Sequence, residues 1–451
     1  MKTLTRKLEF WLSAVGVAVL CVVFALWWSG TSYGAAERFA AVMSAALYAG
    51  VALRFVPAWM EFWRGEALPA PPEEKDEPRR MGIKIFLCFL AYAVTVVLMV
   101  YFIRRAAGHD EGFVEGLYFW TGTDSRHYLD IARDWYLSEG ELDRLVQLVF
   151  LPGYPLAIRL VHLLVPDWLA AAMLCSALCF AGAGCVLYRL LRLDMPHRDA
   201  LRVLKYLCLL PGSFFFAAAM SESLFLLLCA GCLYLCRTKR WALGCLAGGL
   251  AAFTRSLGLM LVVPLVFELV RERPFSAPED KKKSAAGKFA ALLLVPAGFA
   301  AYCYINYRVS GNPFQYLIYQ KEHWSQQLGW FFNTAAYQTR QAIQSVGDNP
   351  VNFLGLWLPN LFCSFAALAV MLPAARRLRA SYTAWFLAYY LIAIGATWLL
   401  SAPRYLAALP PVPMALAMAG KKPAADTALT AGCAALYLLY LCAFSLHWQV
   451  W

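Results

Sequence analysis

The chain is 451 residues long; 61% of its residues are hydrophobic, 15% are aromatic and only 15% are charged, and the mean hydropathy is +0.56. Soluble globular proteins carry about a quarter charged residues, so this composition excludes a cytosolic enzyme, a disulfide-rich secreted module and a disordered scaffold. The formal net charge is +12. Because the basic residues lie between hydrophobic runs, they indicate membrane topology rather than nucleic-acid binding.

Apolar runs of about 15 to 23 residues recur along the chain, and each is long enough, or nearly so, to cross a bilayer as a helix. The first run follows Lys2, Arg6 and Lys7, but it is too long for a signal peptide and is predicted to be an anchor. We predict an all-α polytopic membrane protein with thirteen spans: 9–28, 38–60, 83–103, 168–190, 203–217, 220–236, 241–256, 257–270, 288–308, 351–373, 382–400, 404–420 and 427–447.

The distribution of basic residues predicts which connections are cytoplasmic. With the N-terminus inside, 27 of the 40 lysines and arginines fall on cytoplasmic segments, as the positive-inside rule requires. Two long connections, 104–167 and 309–350, are then external. Both are amphipathic and rich in Trp and Tyr, which predicts short helices at the membrane surface.

Three parts of the chain are predicted. Residues 1–82 form an accessory transmembrane hairpin followed by a Pro-rich charged linker, ALPAPPEEKDEPRR, at 67–80. Residues 83–420 form the catalytic core, and 421–451 form a C-terminal transmembrane helix. All 14 cysteines lie in or beside apolar runs without zinc-like spacing, so they are predicted to be small hydrophobic residues.

Four segments place charged residues at the predicted external face. Asp124 lies in FWTGTDSRHYLDIARDWY, Glu222 in SESLF, Arg255 in FTRSLG, and Arg404 in SAPRYLAALPPVP. Simpler structural explanations exist. Asp124 and Ser221 could cap helices, Glu222 could face a helix dipole, and the two arginines could extend their guanidinium groups to the membrane–water interface. A carboxylate and two guanidinium groups at one membrane boundary would, however, suit group transfer from an anionic lipid headgroup.

In this order, the segments resemble the PIG-V-like branch of the GT-C superfamily of membrane glycosyltransferases (glycosyltransferase family 76, relatives of GPI mannosyltransferase 2, bacterial branch). The resemblance runs from about residue 83 to about residue 420. The segments that carry it are DSRHYLDIARDWY, VFLPGYPLAIRL, LLPGSFFFAAAMSESLFLLL, FTRSLGLML, NYRVSGNPFQYLIYQKEHW and RYLAALPPVP.

The resemblance implies a GT-C-type helical bundle in the cell membrane that moves a hexose, with mannose the first expectation, from a polyprenyl-phosphate donor. The acceptor is a hydroxyl of a glycan, lipid or protein at the external face, and the anomeric configuration inverts. Asp124 matches the family's general base, and Arg404 and Arg255 are the candidates for stabilising the leaving phosphate. The candidates for sugar or acceptor contacts are His127, Glu222, His323, Trp324 and Tyr405.

The chain departs from the family pattern at two places: Trp120 stands four residues before Asp124 instead of beside it, and Leu257 stands where relatives often have Asn. No Asp-x-Asp pair includes Asp124, so no divalent metal site and no cofactor are predicted.

Two other functions remain open. A transporter or flippase of a polyisoprenoid-linked glycan usually has two similar halves, and no repeat is evident here. A GT-C-type glycan polymerase or ligase would carry arginines in its late external loop, which here has only Lys321 and Arg340.

Overall fold

The computed structural model describes residues 2–65, 80–136, 146–272 and 279–450. These residues are helical throughout, apart from turns and one isolated antiparallel bridge between Leu328 and Ala396. The prediction of an all-α protein is therefore confirmed. The predicted linker at 67–80 lies, except for Arg80, outside the described residues.

Seven helices of the described chain are long and apolar enough to cross a membrane, and counting one bent pair as a single span gives eight. This supports a helical membrane protein, but the predicted number of thirteen is not reproduced. In the bent pair, His197–Leu209 and Pro211–Ala217 meet at 84°. The seven long helices are Lys7–Ser29 (helical from Lys2), Ala35–Trp63, Met81–Ala106, Trp168–Leu191, Ala285–Ser310, Pro350–Ala374 and Pro423–Ser445.

Two of the long helices are irregular. Ala285–Ser310 combines most of Glu279–Leu292 with Leu294–Ser310. Pro350–Ala374 contains a π-helical turn, Phe353–Trp357, between Pro350–Asn352 and Leu358–Ala374. Such turns often mark functional positions in helices, but here the turn packs against the C-terminal segment.

The other five predicted spans fall on shorter helices. The longest has 16 residues, about 24 Å, which is less than the roughly 30 Å of a bilayer's hydrocarbon core. In a membrane, breaks in helices are tolerated where the backbone is buried in protein. Helix Ala380–Ala393 is buried in this way, and its Trp385, Phe386 and Tyr389 are fully buried. These helices are Glu222–Arg237, Trp241–Thr254, Ser256–Leu261 with Val262–Arg271, Ala380–Ala393, and Ala402–Ala407 with Pro411–Ala419.

The two long predicted external connections contain short helices, as expected. Ser125–Asp134 is amphipathic: it buries Tyr128 and Ile131 and leaves its arginines largely exposed. The others are Phe113–Gly116, Leu117–Thr121, Val146–Val149 and Gly153–His162 in the first connection, and Gln315–Trp324 and Phe331–Asp348 in the second. Whether they lie at a membrane surface stays a prediction.

The first two helices pack against the core through Phe331–Asp348. Asn333 Oδ1 accepts hydrogen bonds from Trp27 Nε1 (2.9 Å) and from the Tyr33 hydroxyl (3.2 Å). Arg340 Nε lies 3.4 Å from Glu37 Oε1. The hairpin that the sequence assigns to residues 1–82 is thus anchored to the rest of the molecule at this end. Farther along the second helix, the Tyr48 hydroxyl donates to the Leu387 carbonyl oxygen at 3.1 Å, and Glu61 pairs with Arg376.

Buried ion pairs lie at both ends of the bundle. Helix Glu222–Arg237 carries Glu222 at one end, here called the Asp124 end, and Arg237 about 22 Å away. Arg237 Nη2 donates to Asp194 Oδ1 at 2.8 Å, and Arg379 Nη2 donates to Glu268 Oε2 at 2.7 Å. This opposite end, here called the Asp194 end, gathers basic connections that the sequence assigns to one side of the membrane.

Candidate active site

Asp124 lies immediately before helix Ser125–Asp134, at the position of a helix cap. Its side chain makes no capping hydrogen bond. Instead, its Oδ2 accepts from Arg404 Nη2 at 2.5 Å, and the side chain keeps 22% of its surface exposed. The capping explanation is therefore not supported. Asp124 is a carboxylate that is paired with a buried guanidinium and is still partly exposed to solvent.

Arg404 lies on the short helix Ala402–Ala407 and is only 5% exposed. Its Nε is 2.9 Å from Glu222 Oε1, and its Nη1 is 3.6 Å from Met220 Sδ. The helix approaches Pro211–Ala217 so closely that a Cβ added to Gly212 would overlap the Pro403 carbonyl. The position of Arg404 therefore depends on a glycine at 212.

Glu222 is the centre of the arrangement. It is 1% exposed, and its Oε1 contacts both Arg404 and Arg255 Nη1. Its Oε2 is buried and has no hydrogen-bond partner among the described residues. A carboxylate shared by two arginines holds both cations in place, and we call these four residues (Asp124, Glu222, Arg255, Arg404) the Asp124 cluster.

Arg255 and Tyr128 connect the Asp124 cluster to neighbouring helices. Arg255 Nη1 donates to Ser221 Oγ at 3.1 Å, and Ser221 Oγ also pairs with the Tyr128 hydroxyl at 2.9 Å. Ser221 makes no side-chain capping bond, so its predicted capping role is not seen. Burial raises the pKa of Tyr128, which keeps the phenol protonated and able to donate.

The charges of the cluster balance, because two guanidinium groups face two carboxylates. Buried charges are tolerated when they are paired in this way. The Tyr405 ring adds cation–π contacts, with its centre 5.1 Å from the Arg255 guanidinium carbon and 5.8 Å from that of Arg404. An arginine held by anions in a water-poor site can exchange one anion for another, which is the chemistry of phosphate binding.

The structure divides the sequence-predicted residues into two groups. Asp124, Arg255, Arg404, Glu222 and Tyr405 come together in and beside the cluster. The remaining three form an aromatic group around Phe150. The His127 ring stacks on Phe150 at 4.6 Å, Trp324 lies 6.4 Å from His127, and His323 lies 6.3 Å from Trp324.

Sequence reasoning missed a second buried arginine site at the same end. Arg104, at the end of helix Met81–Ala106, is 7% exposed. Its Nη1 lies 3.1 Å from His447 Nε2 and 3.4 Å from the Ser445 carbonyl oxygen, and its Nη2 is 3.4 Å from Glu111. The one available signal was an arginine at the end of an apolar run, as at Arg255.

Two cavities are lined by chain neighbours of the cluster residues. A cavity of about 250 Å³ is bordered by Thr123 and Ser125, the neighbours of Asp124. A second, of about 280 Å³, is almost entirely apolar and lies between helices Leu358–Ala374 and Pro423–Ser445, with Pro403 in its wall. The site therefore combines a charged centre with one polar and one apolar compartment.

No group of three or more His, Cys, Asp or Glu side chains in the described chain is arranged to hold a metal ion. Comparison with known proteins returned no matching family model, no matching curated protein and no matching solved structure. A functional assignment therefore depends on the residues of the site.

Proposed function

We propose that this protein is an integral membrane glycosyltransferase that moves a hexose, with mannose the first candidate, from a polyprenyl-phosphate donor to an acceptor hydroxyl. One observation carries the proposal: a partly exposed carboxylate, Asp124, is paired with a buried arginine, Arg404, beside two cavities of different polarity. A donor of this class has three parts, namely an apolar chain, a phosphate and a neutral sugar. The apolar cavity, Arg404 and the polar cavity fit them in that order.

The reaction is a single displacement at the anomeric carbon. Asp124 takes the proton of the acceptor hydroxyl while that oxygen bonds to the anomeric carbon. The bond from the anomeric carbon to the phosphate oxygen breaks, and the electron pair leaves with the phosphate. Arg404, backed by Arg255 through Glu222, stabilises the charge on the departing phosphate. The configuration inverts because the acceptor attacks opposite the leaving group.

Donor binding would also activate the base. Without donor, Asp124 Oδ2 is occupied by its hydrogen bond from Arg404 Nη2 at 2.5 Å and is not available to the acceptor hydroxyl. A phosphate that binds Arg404 competes for the same Nη2 donor and releases Asp124. The acceptor hydroxyl is therefore deprotonated only when a donor is present.

The proposal includes the membrane orientation and the GT-C-type arrangement of about thirteen crossings, five of them made by the shorter helices. The Asp124 end is external and the basic Asp194 end is cytoplasmic, as the positive-inside rule predicts. A lipid-linked donor then reaches Arg404 sideways from the outer leaflet. The acceptor reaches Asp124 from the water side.

The test is a transfer assay with purified protein, radiolabelled polyprenyl-phosphate hexoses and a membrane extract as the source of acceptors. The wild-type protein should release the sugar from its carrier. Asp124→Asn should lower transfer by about 10²- to 10⁴-fold, because an amide cannot accept the proton. The matched control is Asp134→Asn, since Asp134 lies on the same helix, is 37% exposed and pairs with the exposed Arg133 rather than with a member of the cluster.

Two results would contradict the proposal: no sugar release by the wild-type protein from any carrier offered, or full transfer by folded Asp124→Asn protein. Folding of the variants is checked by the elution profile and by the thermal unfolding midpoint. A loss of transfer in Asp134→Asn as large as in Asp124→Asn would also count against a specific role for Asp124.

One observation favours a second candidate, a lipid-linked glycan flippase. Helices His197–Leu209 and Pro211–Ala217 meet at 84°, and broken helices beside buried charges are typical of transporters. A flippase would move labelled donor across proteoliposome membranes without cleaving it. Product analysis in the transfer assay separates the two functions.

A further inference from the structure

The polar cavity beside Asp124 is closed by the C-terminal end of the chain. Thr123, Ser125 and Met220 border it on the side of the cluster, and Met220 Sδ lies 3.6 Å from Arg404 Nη1. The opposite wall is the segment that follows the last long helix: His447, Trp448, Gln449 and Val450. We call this segment the tail and the space it closes the tail cavity.

The lining of the tail cavity is neutral and mixed. No Lys, Arg, Asp or Glu borders it; its polar side chains are hydroxyls, an amide and an imidazole. Aromatic rings form much of the remaining surface. A pyranose presents hydroxyls at its edge and apolar C–H groups on its faces, so it matches such a lining better than an anion or a hydrocarbon does. The polar lining residues are Thr123, Ser125, His447 and Gln449. The aromatic lining residues are Phe119, Trp120, Phe444 and Trp448.

Thr123 has two further features of a ligand site. Its Oγ1 is buried without a hydrogen-bond partner among the described residues, which is uncommon for a hydroxyl in a folded protein. Its backbone is left-handed, with φ at 54°, which a β-branched residue rarely adopts. Strain of this kind is typical of functional positions, and here it immediately precedes Asp124.

The tail is held in place by the core. Arg104 Nη1 contacts both the Ser445 carbonyl oxygen at 3.4 Å and His447 Nε2 at 3.1 Å. Helix Pro350–Ala374 approaches it at Gly355, where an added Cβ would lie 3.1 Å from Trp448 Cβ. The wall is thus preorganised, which a specific binding site requires.

We infer that the tail cavity binds a neutral pyranose ring, with Gln449 and His447 as specificity-determining residues supplied by the C-terminus. The inference rests on the proposed function, because it assigns the sugar compartment of the same site. The ring could belong to the donor or to a sugar acceptor, and the two sources share this chemistry.

The experiment measures binding by saturation-transfer NMR, with the full-length protein in lipid nanodiscs. Two probes are used: methyl α-D-mannopyranoside, a neutral hexose, and citronellyl phosphomannoside, which carries the phosphate and a short isoprenoid chain. Gln449→Trp fills the cavity from its exposed rim and should weaken binding by about tenfold or more through steric overlap. Gln344→Trp is the matched control, since Gln344 is exposed on helix Phe331–Asp348 and does not border the tail cavity.

The pattern of losses identifies the ligand. Weaker binding of both probes to Gln449→Trp assigns the cavity to the donor sugar, and weaker binding of the neutral glycoside alone assigns it to the acceptor. If the protein binds the glycoside in the cavity but never cleaves a donor, the cavity assignment holds and the proposed function fails. Equal binding to Gln449→Trp and Gln344→Trp, or no binding of either probe to the wild-type protein, overturns the inference.

Discussion

At the scale of single residues, the four charges of the Asp124 cluster form a chain in the order Asp124, Arg404, Glu222, Arg255. Arg404 and Glu222 each contact two members of the cluster, whereas Asp124 and Arg255 each contact one. Removing Glu222 would leave two buried guanidinium groups facing each other, which costs about 3–5 kcal/mol in comparable cases. Removing Arg404 leaves the Arg255–Glu222 pair intact and frees only Asp124, which water can reach.

This asymmetry makes Arg404→Ala a test of function rather than of folding. We expect the donor concentration at half-saturation to rise by about tenfold or more, because the phosphate loses its charged hydrogen-bond donor. The unfolding midpoint should change less than in Glu222→Ala. The measurement is donor saturation in the transfer assay, with Arg126→Ala as the control because the Arg126 side chain is 79% exposed. Unchanged donor saturation in Arg404→Ala would rule out its role as the phosphate partner.

His447 makes the tail sensitive to pH. Burial lowers the pKa of His447 from its ordinary value of 6.5, and the charge of Arg104 and the neighbouring His109 add to this, while Glu111 opposes it. Arg104 can only donate, so His447 Nε2 must be the unprotonated acceptor of their contact. Protonation breaks that contact and places two cations together.

The sign follows from proton binding. Between the lowered pKa and 6.5, the unfolded chain binds a proton that the folded chain does not, so stability is full above this window and falls as the pH drops through it. The unfolding midpoint of the wild-type protein should therefore fall more between pH 7.5 and 5 than that of His447→Gln, which does not titrate. Identical pH profiles of the two proteins would show that His447 carries no such linkage.

The residues at the site were only partly predictable from the sequence. Asp124, Arg255 and Arg404 could be placed together because the predicted topology puts all three at the external face of the membrane. The central role of Glu222 could not, because a carboxylate at a helix start has the same sequence pattern whether it faces the helix dipole or bridges two arginines. Arg104 and His447 are 343 positions apart, so no local pattern links them.

At the scale of helices, the predicted spans that the structure does not show as single long helices are those whose apolar runs continue across breaks. The run at 203–217 passes through Pro211, where the chain turns by 84° and continues as Pro211–Ala217. A hydropathy window cannot detect this, because the side chains on both sides of the break remain apolar and buried. The break matters for the site, since it brings Gly212 against the carbonyl of Pro403 and so fixes the helix that carries Arg404.

Gly212→Ala tests this contact. The added methyl group would overlap the backbone of Pro403 and Arg404, which cannot move aside as a flexible side chain could. We expect a loss of about 1–3 kcal/mol of stability and a fall in transfer activity as Arg404 is displaced. Gly231→Ala is the matched control, because no atom lies within 4 Å of its added Cβ and alanine favours a helix by about 1 kcal/mol. Equal effects of the two substitutions would show that the close approach is unimportant.

At the scale of the whole molecule, the structure separates two kinds of ionic group. The Asp124 end has a charge-balanced cluster that is partly open, whereas the Asp194 end joins several basic connections through carboxylates. Lys205 Nζ lies 2.8 Å from Asp426 Oδ1, Arg376 Nη2 lies 3.6 Å from Glu61 Oε1, and Lys421 Nζ lies 3.9 Å from Asp199 Oδ2. Connections far apart in sequence, but predicted to share one side of the membrane, are thus neighbours in space.

This arrangement predicts the orientation of the protein. Gly311 and Lys421 are exposed positions at the Asp124 end and the Asp194 end, respectively, so each should accept a short epitope tag. In spheroplasts of a bacterial host, antibody should reach a tag after Gly311 without permeabilisation, and a tag after Lys421 only after permeabilisation, because basic segments stay cytoplasmic. The reverse pattern would place Asp124 inside and require a donor on the cytoplasmic leaflet. Tags reached from the same side would contradict a bundle that spans the membrane between its two ionic ends.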